Sequence, residues 1–124
     1  MRKPAKLIAT VASVCAILGS LALVPTTASA ADGASAVEQG KKLAFDRKLG
    51  NCLACHQIKG GSFGGAIAPP LVAMKARFPD KAVLREHIYN QRKFNPSAMM
   101  PPFGPNHILT AEQIDKITDY IYTL

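Results

Sequence analysis

The sequence has few of the residues that build disulfide frameworks, metal clusters and β-sheets. Its 124 residues include three cysteines and no tryptophan. Cys15 lies in an apolar N-terminal run, so Cys52 and Cys55 have no second cysteine pair with which to form a structural zinc site. No segment sustains the apolar and polar alternation typical of a strand, which also argues against a thioredoxin-like redox pair in a βαβ unit. These absences predict a small all-α domain.

Charge and side-chain chemistry exclude two further classes of function. Fifteen basic and eight acidic residues give a net charge of +7, but the basic residues form no dense stripe interleaved with aromatics. Nucleic-acid binding is therefore not supported. No nucleophile or acid/base pair stands out, and we expect no catalysis by this chain alone. A mildly basic surface instead suits docking to an acidic redox partner.

The most informative segment runs from residue 52 to residue 56 and reads Cys-Leu-Ala-Cys-His. Cys-x-x-Cys-His is the attachment signature of a c-type haem. One helical turn places Cys52 and Cys55 on the same face, where their thiols can add to the two haem vinyl groups, and the adjacent His56 can bind the iron. The motif predicts an electron carrier with one covalently attached haem c. Because the haem uses both thiols, no disulfide is expected.

The N-terminus has the pattern of a secretory signal peptide. A basic segment precedes an apolar run over residues 7–24, and Ala28-Ser29-Ala30 is a small-residue cleavage site. We expect cleavage after Ala30. A retained membrane anchor is the alternative, because the apolar run is about long enough to span a bilayer, although small and polar residues dilute it. The basic residues are Arg2, Lys3 and Lys6, and the diluting residues are Ser13, Gly19 and Ser20.

Removal of residues 1–30 changes the charge and the size of the molecule. Twelve basic and eight acidic residues remain, a net charge of +4 over residues 31–124. A single domain of this size buries a limited share of its surface, so a large apolar cofactor at its centre matters to stability, and we expect the apo-protein to be poorly folded. The export signal predicts a periplasmic protein with no stable membrane insertion after cleavage.

Two amphipathic segments at the ends of this domain are predicted to pack on each other. Residues 35–46 have apolar residues at helical spacing, with Ser35 as a candidate N-cap and Gly40 as a candidate for a close helix crossing. Thr110 and Gln113 form a capping box that begins the final helix. The apolar stripe of this last helix most simply packs on the first helix beside the haem.

The middle of the chain contains one more predicted helix and a rigid turn. Residues 80–91 carry one apolar stripe behind Asp80, a candidate N-cap. Residues 59–65 contain four glycines and predict a flexible loop, which ends at Ala68-Pro69-Pro70. A ligating imidazole usually donates its second N–H to a fixed acceptor, and the Pro69 carbonyl suits that role for His56. An ordinary rigid turn is the alternative.

The segment from Asn95 to His107 contains four prolines around two methionines and cannot form an ordinary helix. A thioether on a loop stiffened by proline can be held to iron, and His/Met ligation raises the reduction potential relative to two histidines. Met100, directly before Pro101-Pro102, is our candidate for the sixth ligand. The rival candidates are Met99, Met74, His87 and His107.

The order of these features resembles the class I cytochrome c fold over residues 31–124. Three segments are similar to a narrower family, the SoxX subunits of the SoxAX cytochromes of bacterial thiosulfate oxidation, over roughly residues 38–124. These segments are 50–56 (GNCLACH), Asn95-Pro96 followed by 100–104 (MPPFG), and 108–110 (ILT). The resemblance implies iron ligation by His56 and Met100 and thioether bonds to Cys52 and Cys55.

The same resemblance implies a partner and a process. SoxX pairs with a SoxA subunit in the periplasm, where thiosulfate is oxidatively joined to a cysteine of the SoxYZ carrier, and the SoxX haem accepts the electrons and passes them to a downstream acceptor. The chain would then be the electron-transfer subunit of an L-cysteine S-thiosulfotransferase. A freestanding mobile cytochrome is the alternative. A haem-based ligand sensor would need an open sixth position, which the methionine loop argues against.

Overall fold

The computed structural model describes residues 28–124, with side chains from Ser35 onward. The helices are α1 (Ala28–Phe45), α2 (Met74–Arg77), α3 (Lys81–Tyr89) and α4 (Ala111–Ile121), with short 3₁₀ turns at Cys52–Ala54 and Gln91–Lys93. This range contains no strand, so the prediction of an all-α fold is confirmed. Most of the predicted signal segment lies outside the described residues, and cleavage after Ala30 stays a prediction. None of the described helices has the length and apolarity needed to cross a membrane.

The first helix begins earlier than the sequence predicted. It runs from Ala28, so Ser35 lies inside α1 and is not its N-cap; that prediction was wrong. The segment before Ser35 reads ASAADGA, and alanine has the strongest intrinsic helix preference, so the backbone has no reason to begin its helix at the serine. The Ser35 hydroxyl instead accepts a hydrogen bond from the Gln39 side-chain amide one turn later (3.0 Å).

Helices α1 and α4 cross in close contact, which confirms the predicted pairing. A Cβ atom added at Gly40 would overlap the backbone carbonyl of Lys116, so only glycine allows the two backbones to approach this closely. Beside this crossing, the rings of Phe45 and Tyr120 pack edge to face with their centroids 5.9 Å apart. Gly40 therefore marks the helix crossing that the sequence suggested.

The starts of α3 and α4 also follow the sequence signals. The Asp80 carboxylate accepts a hydrogen bond from the Ala82 backbone N–H (2.8 Å). Thr110 and Gln113 form the predicted capping box: the Thr110 hydroxyl accepts from the Gln113 N–H (3.2 Å), and the Gln113 side chain accepts from the Thr110 N–H (2.9 Å). The ends of these helices were harder to predict.

Helix α3 stops at Tyr89, two residues short of the predicted Gln91. Asn90 ends it, because the Asn90 side chain accepts a hydrogen bond from the Arg92 N–H (3.1 Å) and starts a separate 3₁₀ turn. Ion pairs from Lys81 to Asp119 and from Arg85 to Asp115 join the outer faces of α3 and α4. The buried core lies under these helices and comprises Ala44, Ile58, Met74, Leu84, Ile88, Phe103, Leu109, Ile114, Ile117, Tyr120 and Ile121.

Candidate functional site

The Cys-x-x-Cys-His segment folds into a closed turn. Asn51 precedes it in the left-handed region (φ 46°), a conformation that asparagine tolerates better than most residues. The Cys52 carbonyl then accepts hydrogen bonds from the N–H groups of Cys55 (3.2 Å) and His56 (2.9 Å). The single turn predicted from the motif is a 3₁₀ turn, and it brings both thiols and the imidazole to the same cavity.

The glycine loop packs tightly against this turn. A Cβ atom at Gly65 would overlap the Ala54 carbonyl, so glycine is needed there for close approach of the backbones. The Gly65 N–H donates to the Leu53 carbonyl (2.9 Å), and the Ala68 N–H donates to the Cys55 carbonyl (3.0 Å). The sequence predicted flexibility from four glycines, but the C-terminal end of this loop is bound to the motif.

The imidazole of His56 has the partner that the sequence suggested. Its Nδ1 atom lies 2.7 Å from the Pro69 carbonyl oxygen. A carbonyl oxygen only accepts hydrogen bonds, so Nδ1 carries the proton and donates it, and Nε2 of the neutral ring keeps its lone pair. This is the tautomer and orientation that a metal-binding histidine requires.

Two adjoining cavities lie against the turn, with volumes of about 230 and about 520 Å³. Together they reach the size of a site for a large cofactor. The walls are mostly apolar and come from α3, α4, the Pro69 turn and the methionine loop. The residues that line both cavities are Gly50, Cys52, His56, Pro69, Gln91, Met100 and Phe103.

The family model for cytochrome c matches residues 37–124. The chain belongs to the cytochrome c family. It is a class I c-type cytochrome, an electron-transfer protein whose family implies a covalent haem c. A search of curated proteins found no match to this cytochrome.

The donor set of the cytochrome fits that group. Two thiols in the family spacing, an imidazole with an available Nε2 and a thioether all line one mostly apolar space. Cys52 and Cys55 would attach a haem c, and His56 and Met100 would ligate its iron.

The three methionine candidates for the sixth ligand differ in their surroundings. Met100 is half-buried and lines both cavities. Met99 is 78% exposed and lines only the larger cavity. Met74 is 2% exposed, lines only the smaller cavity, and has its sulfur 3.4 Å from an Arg77 guanidinium nitrogen. The position of Met100 favours it over both rivals.

The two histidine candidates for the sixth ligand also differ in their surroundings. His107 is exposed and lines neither cavity. His87 does line the smaller cavity, but its Nδ1 lies 2.9 Å from the Gln91 side-chain oxygen, and its ring stacks on Phe94 with centroids 3.7 Å apart. These contacts hold His87 in the wall of the smaller cavity.

The electrostatics of the cysteine pair differ from those of a redox dithiol. Burial raises the pKa of the Cys52 thiol to about 11, with the neighbouring Cys55 adding to the effect and a backbone hydrogen bond opposing it. Reactive Cys-x-x-Cys pairs have lowered thiol pKa values. At neutral pH Cys52 is therefore a protonated thiol, which argues against a thioredoxin-like use of the pair.

Sequence reasoning missed part of the cavity wall. Arg77, His87 and Gln91 supply polar groups at the edge of the smaller cavity. His87 was considered only as a rival ligand, and Arg77 was not considered at all. Arg77 lies in α2, a helix of four residues that carries too little periodicity to be recognised from the sequence.

Proposed function

We propose that this cytochrome is the electron-accepting subunit of a periplasmic SoxAX-type complex. In this assignment a SoxA-like partner joins thiosulfate to a cysteine of a SoxYZ carrier, and the cytochrome takes up the electrons and passes them to a downstream acceptor. The electron-transfer role comes from membership of the family. The motif segments at residues 50–56, 95–104 and 108–110 support the narrower assignment.

Each residue of the site has a separate role in this proposal. Cys52 and Cys55 anchor the haem through thioether bonds, and His56 and Met100 ligate its iron. A bound haem c supplies a one-electron iron couple. The Pro69 carbonyl fixes the His56 ring, and the neutral Met100 thioether favours the reduced state relative to a second histidine. The apolar walls keep water away from the site.

An apolar surface at the larger cavity supports a lasting partner. Ile67, Met99 and Ile108 line this cavity and are 66%, 78% and 36% exposed. We call these three residues the mouth patch. Exposed apolar patches beside a functional group mark protein interfaces, and permanent interfaces are larger and more apolar than transient redox contacts. The mouth patch is the single observation in the fold that favours the subunit over a freely diffusing carrier.

Affinity purification tests the proposal directly. The tagged holo-cytochrome is isolated from the periplasm of source cells grown on thiosulfate, and a denaturing gel is stained for haem. We expect a second, larger haem polypeptide in fixed ratio to the first. A single haem band that elutes as a monomer would instead identify a diffusible electron shuttle, and the thiosulfate assignment would be withdrawn.

A pair of variants tests the mouth patch. Ile67→Lys introduces a charge into the patch and is expected to weaken the complex by at least about tenfold in Kd, since central apolar contacts carry most interface energy. Val83→Lys introduces the same charge at an apolar residue that is 42% exposed but lines neither cavity, and it should bind like the unmodified cytochrome. Equal affinities for both variants would move the interface elsewhere.

A further inference from the structure

The turn that holds the imidazole of His56 cannot be held by its own N–H groups. Pro69 and Pro70 are consecutive, and proline has no backbone N–H. Their φ angles are restricted, but the position of the turn relative to the imidazole depends on the flanking residues and on donors to the two proline carbonyls. If the turn moves, the Pro69 carbonyl that accepts the His56 hydrogen bond moves with it.

The flanking residues bind the turn to the haem motif on both sides. The Ala68 N–H donates to the Cys55 carbonyl (3.0 Å), and the Leu71 N–H donates to the Gln57 carbonyl (2.9 Å). Of the three carbonyls between these two bonds, those of Pro69 and Pro70 accept hydrogen bonds in the described structure, and that of Ala68 accepts none. The Pro69 carbonyl faces His56, so the Pro70 carbonyl is the point at which another side chain holds the turn.

Arg77 occupies that point. Its Nη1 atom donates a hydrogen bond to the Pro70 carbonyl (2.9 Å) and lies 3.4 Å from the Met74 sulfur. Met74 is 2% exposed, and its backbone N–H donates to the Leu124 carbonyl (2.9 Å), so the helix that carries Arg77 is fixed to the core. Arg77 thus connects a rigid helix to the turn.

The guanidinium of Arg77 bonds to uncharged groups, as does that of Arg92, whose Nε donates to the Ala98 carbonyl (3.3 Å). The charges of Lys81, Arg85 and Lys93 each meet a carboxylate. Among the residues that the structure describes, Arg77 lies within ion-pair distance of no carboxylate, and its hydrogen bonds go to uncharged atoms in the wall of the smaller cavity. Hydrogen bonds from a charged donor are stronger than neutral ones, and the bond from Arg77 to the Pro70 carbonyl holds the turn.

We propose that Arg77 is a positioning residue for His56. It fixes the Pro69-Pro70 turn through the Pro70 carbonyl and so holds the Pro69 carbonyl against the His56 Nδ1–H. The inference rests on the proposed role of His56 as an axial ligand. Arg77 would thus act on His56 indirectly, through the Pro70 and Pro69 carbonyls. The inference predicts that a residue distant from His56 in the sequence controls exchange of the proton on the His56 ring.

Solvent exchange of the His56 Nδ1 proton tests this role. The ferrous holo-cytochrome is labelled with ¹⁵N-histidine, and exchange of this proton is measured by NMR in Arg77→Gln and in the unmodified protein. Because the hydrogen bond from Arg77 to Pro70 is exposed to solvent, its expected contribution is that of an ordinary hydrogen bond, and we expect exchange at least about threefold faster in Arg77→Gln. Lys75→Gln is the matched control, because it removes one positive charge from the same helix, and its exchange should be unchanged.

Three results would count against the inference in distinguishable ways. Unchanged exchange in Arg77→Gln overturns it. Acceleration of the His56 proton that is matched by the buried Ile117 backbone amide also overturns it, because it shows a general loss of stability. If the His56 ring protons of the unmodified protein lack the large shifts of an iron-bound imidazole, the ligand assignment itself fails, and the inference fails with it.

Discussion

At the scale of single residues, the two cavities are lined mostly by uncharged side chains, and the charged side chains in their walls are those of Arg47 and Arg77. The Met100 thioether is uncharged, and burial raises the pKa of the Cys52 thiol to about 11, which keeps this thiol protonated at neutral pH. Four acidic side chains pair with lysine or arginine on the outer faces of α3 and α4, namely Glu86, Glu112, Asp115 and Asp119. A haem bound here would have mostly uncharged protein groups around it, and these would disfavour the additional positive charge of oxidised iron.

Replacement of Met100 tests the assignment of the sixth ligand. Met100→Ala is expected to lose the sulfur-to-iron absorption band of the oxidised protein. It should also lower the reduction potential by on the order of 0.1 V, within the roughly 0.8 V range that axial ligands span. Met99→Ala should keep both properties, because the Met99 side chain is largely in solvent. Retention of the band in Met100→Ala and its loss in Met74→Ala would transfer the ligand to Met74.

Glu86 provides a test of acid stability. The hydrogen bond from Lys93 is the main cause that lowers the pKa of the Glu86 carboxyl below its ordinary 4.5; desolvation opposes it, and the charges of Lys93 and Arg85 add to it. A lowered folded-state pKa stabilises the fold above the unfolded pKa, and this contribution is lost as pH falls through the folded value. Stability measured by urea unfolding should therefore decline in that acidic range.

Two variants isolate this contribution. Glu86→Gln and Lys93→Gln should each reduce the decline in unfolding free energy below about pH 4.5, and the double variant should add little to either. The effect is small because both side chains are substantially exposed. A Lys93→Gln protein with the full acid decline would show that Lys93 does not set the ionisation of Glu86.

At the scale of the elements, the sequence predicted the starts of α3 and α4 better than the start of α1. Asp80, Thr110 and Gln113 are local signals that the backbone follows, because each side chain satisfies a helix N–H within three residues. Ser35 is not the N-cap of α1, because the residues before it form helix as readily as those after it. Helix α3 ended early because Asn90 competes for the backbone.

The candidate site was predictable where chemistry resides in a short motif and less so where it depends on tertiary contact. Cys52, Cys55 and His56 follow from five consecutive residues, and Pro69 from a rigid turn at the right distance. Arg77 depends on the packing of a one-turn helix, which no local pattern encodes. Phe103 likewise takes its place through tertiary packing, since it is 6% exposed and belongs to the core.

The crossing of α1 and α4 gives a stability prediction. Gly→Ala at an exposed helix position gains about 1 kcal/mol of helix preference. Gly40→Ala should instead lower the unfolding free energy by about 1–3 kcal/mol, because the added methyl group overlaps the Lys116 carbonyl and forces the helices apart. Guanidinium unfolding of the holo-protein measures the change, and Gln39→Ala, on the same helix, should have little effect. A more stable Gly40→Ala protein would refute the close crossing.

At the scale of the whole molecule, the core and the site are continuous. Leu84, Ile88, Ile117 and Ile121 belong to the buried core and also line the smaller cavity, and Phe103 lines both cavities. The same side chains therefore serve the packing of the helices and the walls of the site. A cofactor that fills this space contributes to folding as well as to function.

This continuity makes the fold depend on attachment of the haem. A Cys52→Ala/Cys55→Ala protein without haem should show weak helical signal in far-UV circular dichroism and no sharp thermal transition, because the apolar wall residues lose their central partner. The holo-protein is the reference. A cooperative melt of the double variant that matches the holo-protein would show that helix packing alone suffices.

The contact between α1 and α4 also bears on how the protein is made. These helices come from opposite ends of the described chain, so their pairing closes a long loop and cannot form until the final helix has been synthesised. On a ribosome, α1 waits without its partner while the rest of the polypeptide emerges. The crossing of α1 and α4 is therefore a late step of folding, which follows synthesis of the cavity-lining segments between the two helices.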